Sequence, residues 1–161
     1  MFSRLVKLGL GLLVAIGAIA STSAQAQIDD GIVRVRSTYS TDETIARLKK
    51  DIADKGIMFF SEIDQAQLAA KAGVKLPLKR STMLVFGNPP LGTQFINGKP
   101  EAGIDWPVRL LVQEDAAGNV SAVYTDFLWI ARRHGISGGN EAPFKTASGV
   151  IASITSSITA R

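Results

Sequence analysis

Two apolar runs, Pro107 to Gln113 and Val120 to Thr125, are separated only by Glu114-Asp115-Ala116-Ala117-Gly118-Asn119. This spacing narrows the folds open to the chain more than any other feature. So short a connection joins antiparallel strands, because a parallel pair needs a crossover of a dozen residues or more. Three further runs read as strands. Ile32-Val33-Arg34-Val35-Arg36-Ser37 alternates apolar and polar from Val33 onward, Ile57 to Ile63 opens with Ile-Met-Phe-Phe, and Arg80 to Gly87 contains Thr-Met-Leu-Val-Phe. Asn88-Pro89-Pro90 ends the last of these, since proline cannot donate to a strand ladder.

Helices fill the intervals. Ser40 followed three residues later by Glu43 fits a capping box, and Ile45, Leu48 and Ile52 recur at helical spacing up to Gly56, so a helix is predicted over 41–55. Asp64 and Gln67 suit the start of a short helix, Ala66 to Ala72, stopped by Gly73. Residues 91–106, rich in Gly, Asn and Pro, read as a long irregular connection with room for one helical turn. Asp126 to Arg133 reads as a helix ended by Gly135, and Gly138-Gly139-Asn140 as a flexible joint. Phe144, Ala147, Ile151, Ile154 and Ile158 mark one apolar face of a C-terminal helix. The expected fold class is α+β: a two-layer sandwich, antiparallel sheet with helices on one face, in the order β-α-β(4)-α plus a C-terminal helix.

The first residues read as an address rather than part of that fold. Arg4 and Lys7 precede an apolar stretch of roughly 13 residues, Leu8 to Ala20, and Ala24-Gln25-Ala26 supplies an A-x-A cleavage site. The stretch is too short and too rich in Gly and Ala for a span, which needs about 20 apolar residues. The expected organisation is therefore a signal peptide over 1–26, a single α+β domain over 27–135, and a joint with an amphipathic helix over 136–161. The expected location is periplasmic or secreted, with no membrane association after cleavage. Removing 26 of the 161 residues leaves 135. The 18 Lys and Arg then become 16 against 14 Asp and Glu, a charge of +2. Without a basic run, that is no nucleic-acid footprint. The absence of Cys excludes disulfides, thiolate metal sites and a cysteine nucleophile.

No G-x-S-x-G, H-E-x-x-H, P-loop or dinucleotide fingerprint occurs, and no cofactor is implied. The single histidine, His134, follows Arg132-Arg133 at a predicted helix C-terminus, where a cation is favoured by the helix dipole. It is also the only histidine available to an acid/base pair. Asn88 either closes a turn or aims its amide into a cavity. Asp105 either accepts hydrogen bonds from a ligand beside the Trp106 indole or closes a turn ahead of a strand. In Tyr124-Thr125-Asp126, Asp126 is either a ligand group or the N-cap of the next helix. Asp64, Asp105 and Asp126 each adjoin a strand, and their meeting at one sheet end would suit acid/base work or a hard cation.

Ile63-Asp64, Leu84 to Pro89, Gly92-Thr93, Gly103 to Glu114, Tyr124 to Asp126 and Arg133-His134 occur in one order. That series resembles the bacterial and archaeal domain of unknown function family 302 over residues 33–135. The resemblance implies a TATA-box-binding-protein-like α+β fold, without DNA binding, in a compact dimeric domain with no assigned reaction. Family members commonly carry His after the Ile-Asp pair, where this chain has Gln65, which cannot titrate. By the family's pattern the residues to watch are Asp64, Asn88, Asp105, Asp126 and His134, with Tyr124 added from its strand-end position. The leading expectation is an exported, non-enzymatic domain that binds a small ligand or a protein partner, as a homodimer. The alternatives are an enzyme using an Asp126/His134 acid-base pair, and a structural or assembly protein.

Overall fold

The structure is a computed structural model, and it describes residues 30–159. The leader and its cleavage site lie outside the described residues. Five strands form one antiparallel sheet, β1 (Ile32–Arg36), β2 (Met58–Asp64), β3 (Leu78–Gly87), β4 (Val108–Asp115) and β5 (Val120–Thr125), in the spatial order β1-β5-β4-β3-β2. The first two strands in sequence are thus the two edges. Helix α1 (Thr41–Asp54) carries the chain between them and packs against β2 and β4.

Strand alternation sorts the sheet into two faces. Leu84 pairs with Leu110, Phe86 with Val108, and Val112 with Ala122, and this face forms the core with Ile45, Leu48 and Ile52 of α1. The opposite face carries the cross-strand row Ile63, Met83, Leu111, Val123 and Arg34, none of it fully buried.

Four of the five α-helices among the described residues, all but the C-terminal one, start where a side chain satisfies a free amide. The Ser40 hydroxyl accepts from Glu43 N at 3.3 Å. Only half of the capping box forms, because the Glu43 carboxylate turns to Arg47 instead. The short α2 (Gln65–Lys71) buries none of its residues and is tied to β3 by the Ser81 hydroxyl donating to Gln65 Oε1 at 2.8 Å.

Two regions differ from the sequence expectation. Residues 91–106 are not irregular: α3 (Pro89–Gly98) is followed by a 3-10 segment, Pro100–Asp105. Two prolines are compatible with a helix start because the first amides have no intrahelical partner, and Asn88 Oδ1 accepts from Leu91 N. The C-terminal helix α5 (Ala142–Thr155), whose packing the sequence left open beyond a domain drawn to 135, belongs to the same core. Phe144, Ala147, Ile151 and Ile154 are buried there, and the Phe144 ring stacks on Phe95 of α3 with centroids 4.1 Å apart. Helix α4 (Phe127–Arg133) packs beside α5 and contributes Phe127, Ile130 and Ala131.

Candidate functional site

The antiparallel order decides which candidates meet. The C-terminal ends of β3 and β5 lie beside the N-terminal ends of β1, β2 and β4, as the pairs Met58–Gly87, Phe86–Val108 and Ile32–Thr125 record. Asn88, Asp105, Tyr124, Asp126 and His134 therefore share one end of the sheet. Asp64 does not: it closes β2 at the other end, roughly 20 Å away at strand rise. Its carboxylate accepts from Gln67 N at 2.8 Å as the N-cap of α2. The three-carboxylate cluster is thus excluded. Among the described residues no group of three His, Asp or Glu is placed to hold a metal ion.

Asp126 is likewise a cap. Its two oxygens accept from Leu128 N at 3.2 Å and Trp129 N at 3.1 Å. His134 is the C-cap of the same helix. Cap to cap, α4 holds the two about 12 Å apart along its axis, so the expected Asp126/His134 pair does not form. The partner of His134 is Asp105, 29 residues earlier, with Nε2 and Oδ2 separated by 2.7 Å.

Asp105 is surrounded by donors. Arg133 Nη1 lies 3.3 Å from Oδ1 and 3.5 Å from Oδ2, and Arg109 Nη2 lies 3.8 Å from Oδ1. The Asp105 side chain is 6% exposed, while both guanidinium groups reach solvent. Charged hydrogen bonds of this kind compensate the cost of burying the carboxylate. Both oxygens are engaged, so the cluster pins the 3-10 segment to the end of α4. Trp106 points elsewhere, its indole packed on the bare backbone of Gly92 and Gly87 and edge-on to Phe60. A Cβ at Gly92 would collide with that indole.

Beside Asp105 is a chamber of about 30 Å³ lined by Val108, Arg109, Tyr124, Thr125, Phe127 and Ile130. That volume has room for about one water and none for a substrate. Burial raises the Tyr124 phenol from its ordinary pKa; the Thr155 hydrogen bond opposes this and the Asp126 charge adds to it.

The larger concavity lies on the other side of Phe127. A groove of about 410 Å³ runs between the N-terminal turn of α3 and the outer side of α5, lined by Lys55, Ile57, Asn88, Leu91, Thr146, Gly149, Val150 and Ser153. Its floor continues into a narrow apolar slot of about 30 Å³ that shares Ile57, Asn88, Leu91 and Val150 and reaches Phe86, Phe127 and Ile151. Of the sequence candidates, only Asn88 lines this groove. The others on the wall were missed, although α5 carries the signal: Thr146, Gly149, Val150 and Ser153 recur at helical spacing as a second stripe beside the core stripe.

The family described as "Domain of unknown function DUF302" matches residues 33–154. The solved structure of an uncharacterized conserved DUF302 protein from Bacillus stearothermophilus superposes with a TM-score of 0.73. It covers 81% of this chain and 99% of its own, at 14% identity, which is a likeness of fold alone. Two curated proteins, each named fluoride-specific ion channel FluC 1, from Brucella suis biovar 1 and Brucella abortus biovar 1, are 35% identical over 118 residues. The match takes in 73% of this chain but only 46% and 43% of theirs, so the chain spans less than half the length of these relatives. No helix among the described residues is long and apolar enough to cross a membrane. With its fold and most of its length matched, the chain belongs to the DUF302 family.

Proposed function

We propose that the protein is an exported, non-catalytic domain that binds a small molecule in the groove between α3 and α5, and that it works as a homodimer. One contrast carries the ligand reading. The groove is open, of ligand size, with an apolar floor and a polar rim. The Asp105–His134 cluster is buried and internally satisfied, and adjoins space for little more than a water. Export is supported by the basic start, apolar stretch and A-x-A triplet of residues 1–26. The dimer is supported by the family resemblance.

Gly149 provides the test. A Cβ added there meets nothing within 4 Å, so Gly149→Leu projects into the groove without breaking a contact. Helix propensity favours leucine over glycine. The variant is expected to unfold no earlier than wild type and to lose binding of anilinonaphthalene sulfonate, a fluorescent probe of apolar sites. Undiminished probe binding in Gly149→Leu contradicts the reading. An N-terminus at Gln27 in protein recovered from its own cells checks export, and sedimentation at high concentration checks the dimer.

The names of the curated relatives favour a second reading, in which a domain of this kind serves a membrane ion channel as its ligand-sensing part. Deleting the matching portion of one of those relatives and finding its fluoride efflux unchanged removes that reading.

A further inference from the structure

We infer that the ligand of the groove is a small anionic amphiphile, a carboxylate whose charged end meets Lys55 and whose apolar end enters the slot above Phe86. This rests on the reading of the groove as a ligand site and names the chemistry it selects. Charge gives the first support. Lys55 is the one charged residue on the groove wall, and none of the ion pairs among the described residues engages it. No carboxylate lines the wall, so a cationic ligand finds no partner there. The Asn88 amide and the Ser153 hydroxyl add uncharged donors around the same rim, whereas the Thr146 hydroxyl donates to Ala142 O of its own helix at 3.1 Å.

Shape gives the second support. The slot beneath the groove is walled by Phe86, Leu91, Phe127, Ala147 and Ile151, with no charged group. At about 30 Å³ it admits little more than a terminal methyl group, and the rest of a hydrocarbon chain lies along Ile57, Leu91 and Val150 in the groove above it. A polar mouth with a single cation above an apolar slot matches an anion at one end of a hydrocarbon. Lys55 also ends α1, where a cation meets unpaired helix carbonyls. That role alone affects stability when Lys55 is replaced, but leaves the choice between ligand head groups untouched.

The experiment is calorimetric titration of the purified protein with octanoate, octanol and octylamine near neutral pH, in wild type, Lys55→Gln and Gly149→Leu. Wild type is expected to bind octanoate at least about tenfold more tightly than octanol, with octylamine weakest. In Lys55→Gln octanoate is expected to fall to within about twofold of octanol, with octanol itself unchanged. Equal binding of the three head groups to wild type overturns the inference, and so does an octanoate preference that survives Lys55→Gln. If the chains bind without head-group preference and Gly149→Leu abolishes that binding, the groove stands and only the anionic selectivity falls. If no chain binds, or all bind Gly149→Leu as they bind wild type, the groove reading itself is wrong.

Discussion

At the scale of single residues, the polar candidates divide by what their side chains are already doing. Asp126, Asn88 and Asp64 each hold amides of their own helix, at 3.1–3.2, 3.1 and 2.8 Å. Asp105 instead joins segments distant in sequence, and losing it strands the His134 imidazole, which is 9% exposed. Asp105→Ala is therefore expected to lower unfolding free energy by about 2–4 kcal/mol, discounted from a fully buried ion pair because Arg109 and Arg133 regain solvent. Asp126→Ala loses only a cap, about 1 kcal/mol. Urea unfolding of both variants checks the ranking, and equal losses contradict the assignment of Asp105 as the pin. The caps were legible in the sequence because an N-cap speaks only to residues two or three ahead. The Asp105–His134 contact was not, since no local rule pairs positions separated by a hairpin and a helix.

At the scale of elements, the β4–β5 hairpin ties its own turn. Asp115 accepts from Asn119 N and from Asn119 Nδ2, both at 2.8 Å. These bonds from Asn119, side chain first and backbone second, hold the Asp115 carboxyl below its ordinary pKa. A depressed folded-state value gives stability that is complete above the unfolded-state value and lost as pH falls through the folded one. Asp115→Asn is thus expected to be less stable than wild type at neutral pH, with the gap closing below about pH 4. Denaturant midpoints at neutral pH and near pH 2 measure this; a gap that stays constant in acid refutes it. The hairpin and α1 were readable because the apolar pattern agrees with a turn signal in one and with the Ser40 cap in the other, and α5 from its apolar spacing alone, since no side chain caps its start. Helix α3 was not: its Gly, Pro and Asn content reads as loop, and the burial of Phe95 against Phe127 and Phe144 overrides local preference.

At the scale of the whole molecule, antiparallel order gathers the ends of β3 and β5 with the starts of β1, β2 and β4, and the helices build two different concavities there. One is a recess of about 30 Å³ beside Asp105 and the other a groove of about 410 Å³ between α3 and α5. The sheet and its partner helices followed from strand spacing and apolar periodicity. The groove did not, because its walls come from Lys55, Leu91 and Gly149, brought together only by the packing of α1, α3 and α5 around one core.

Amide chemical-shift mapping of the isotope-labelled protein during titration with octanoate tests the central claim most directly. Saturable shifts are expected at Lys55, Ile57, Leu91, Gly149 and Val150, with Asp105 and His134 unmoved. Shifts centred on Asp105 and His134, or none at the groove, would contradict it.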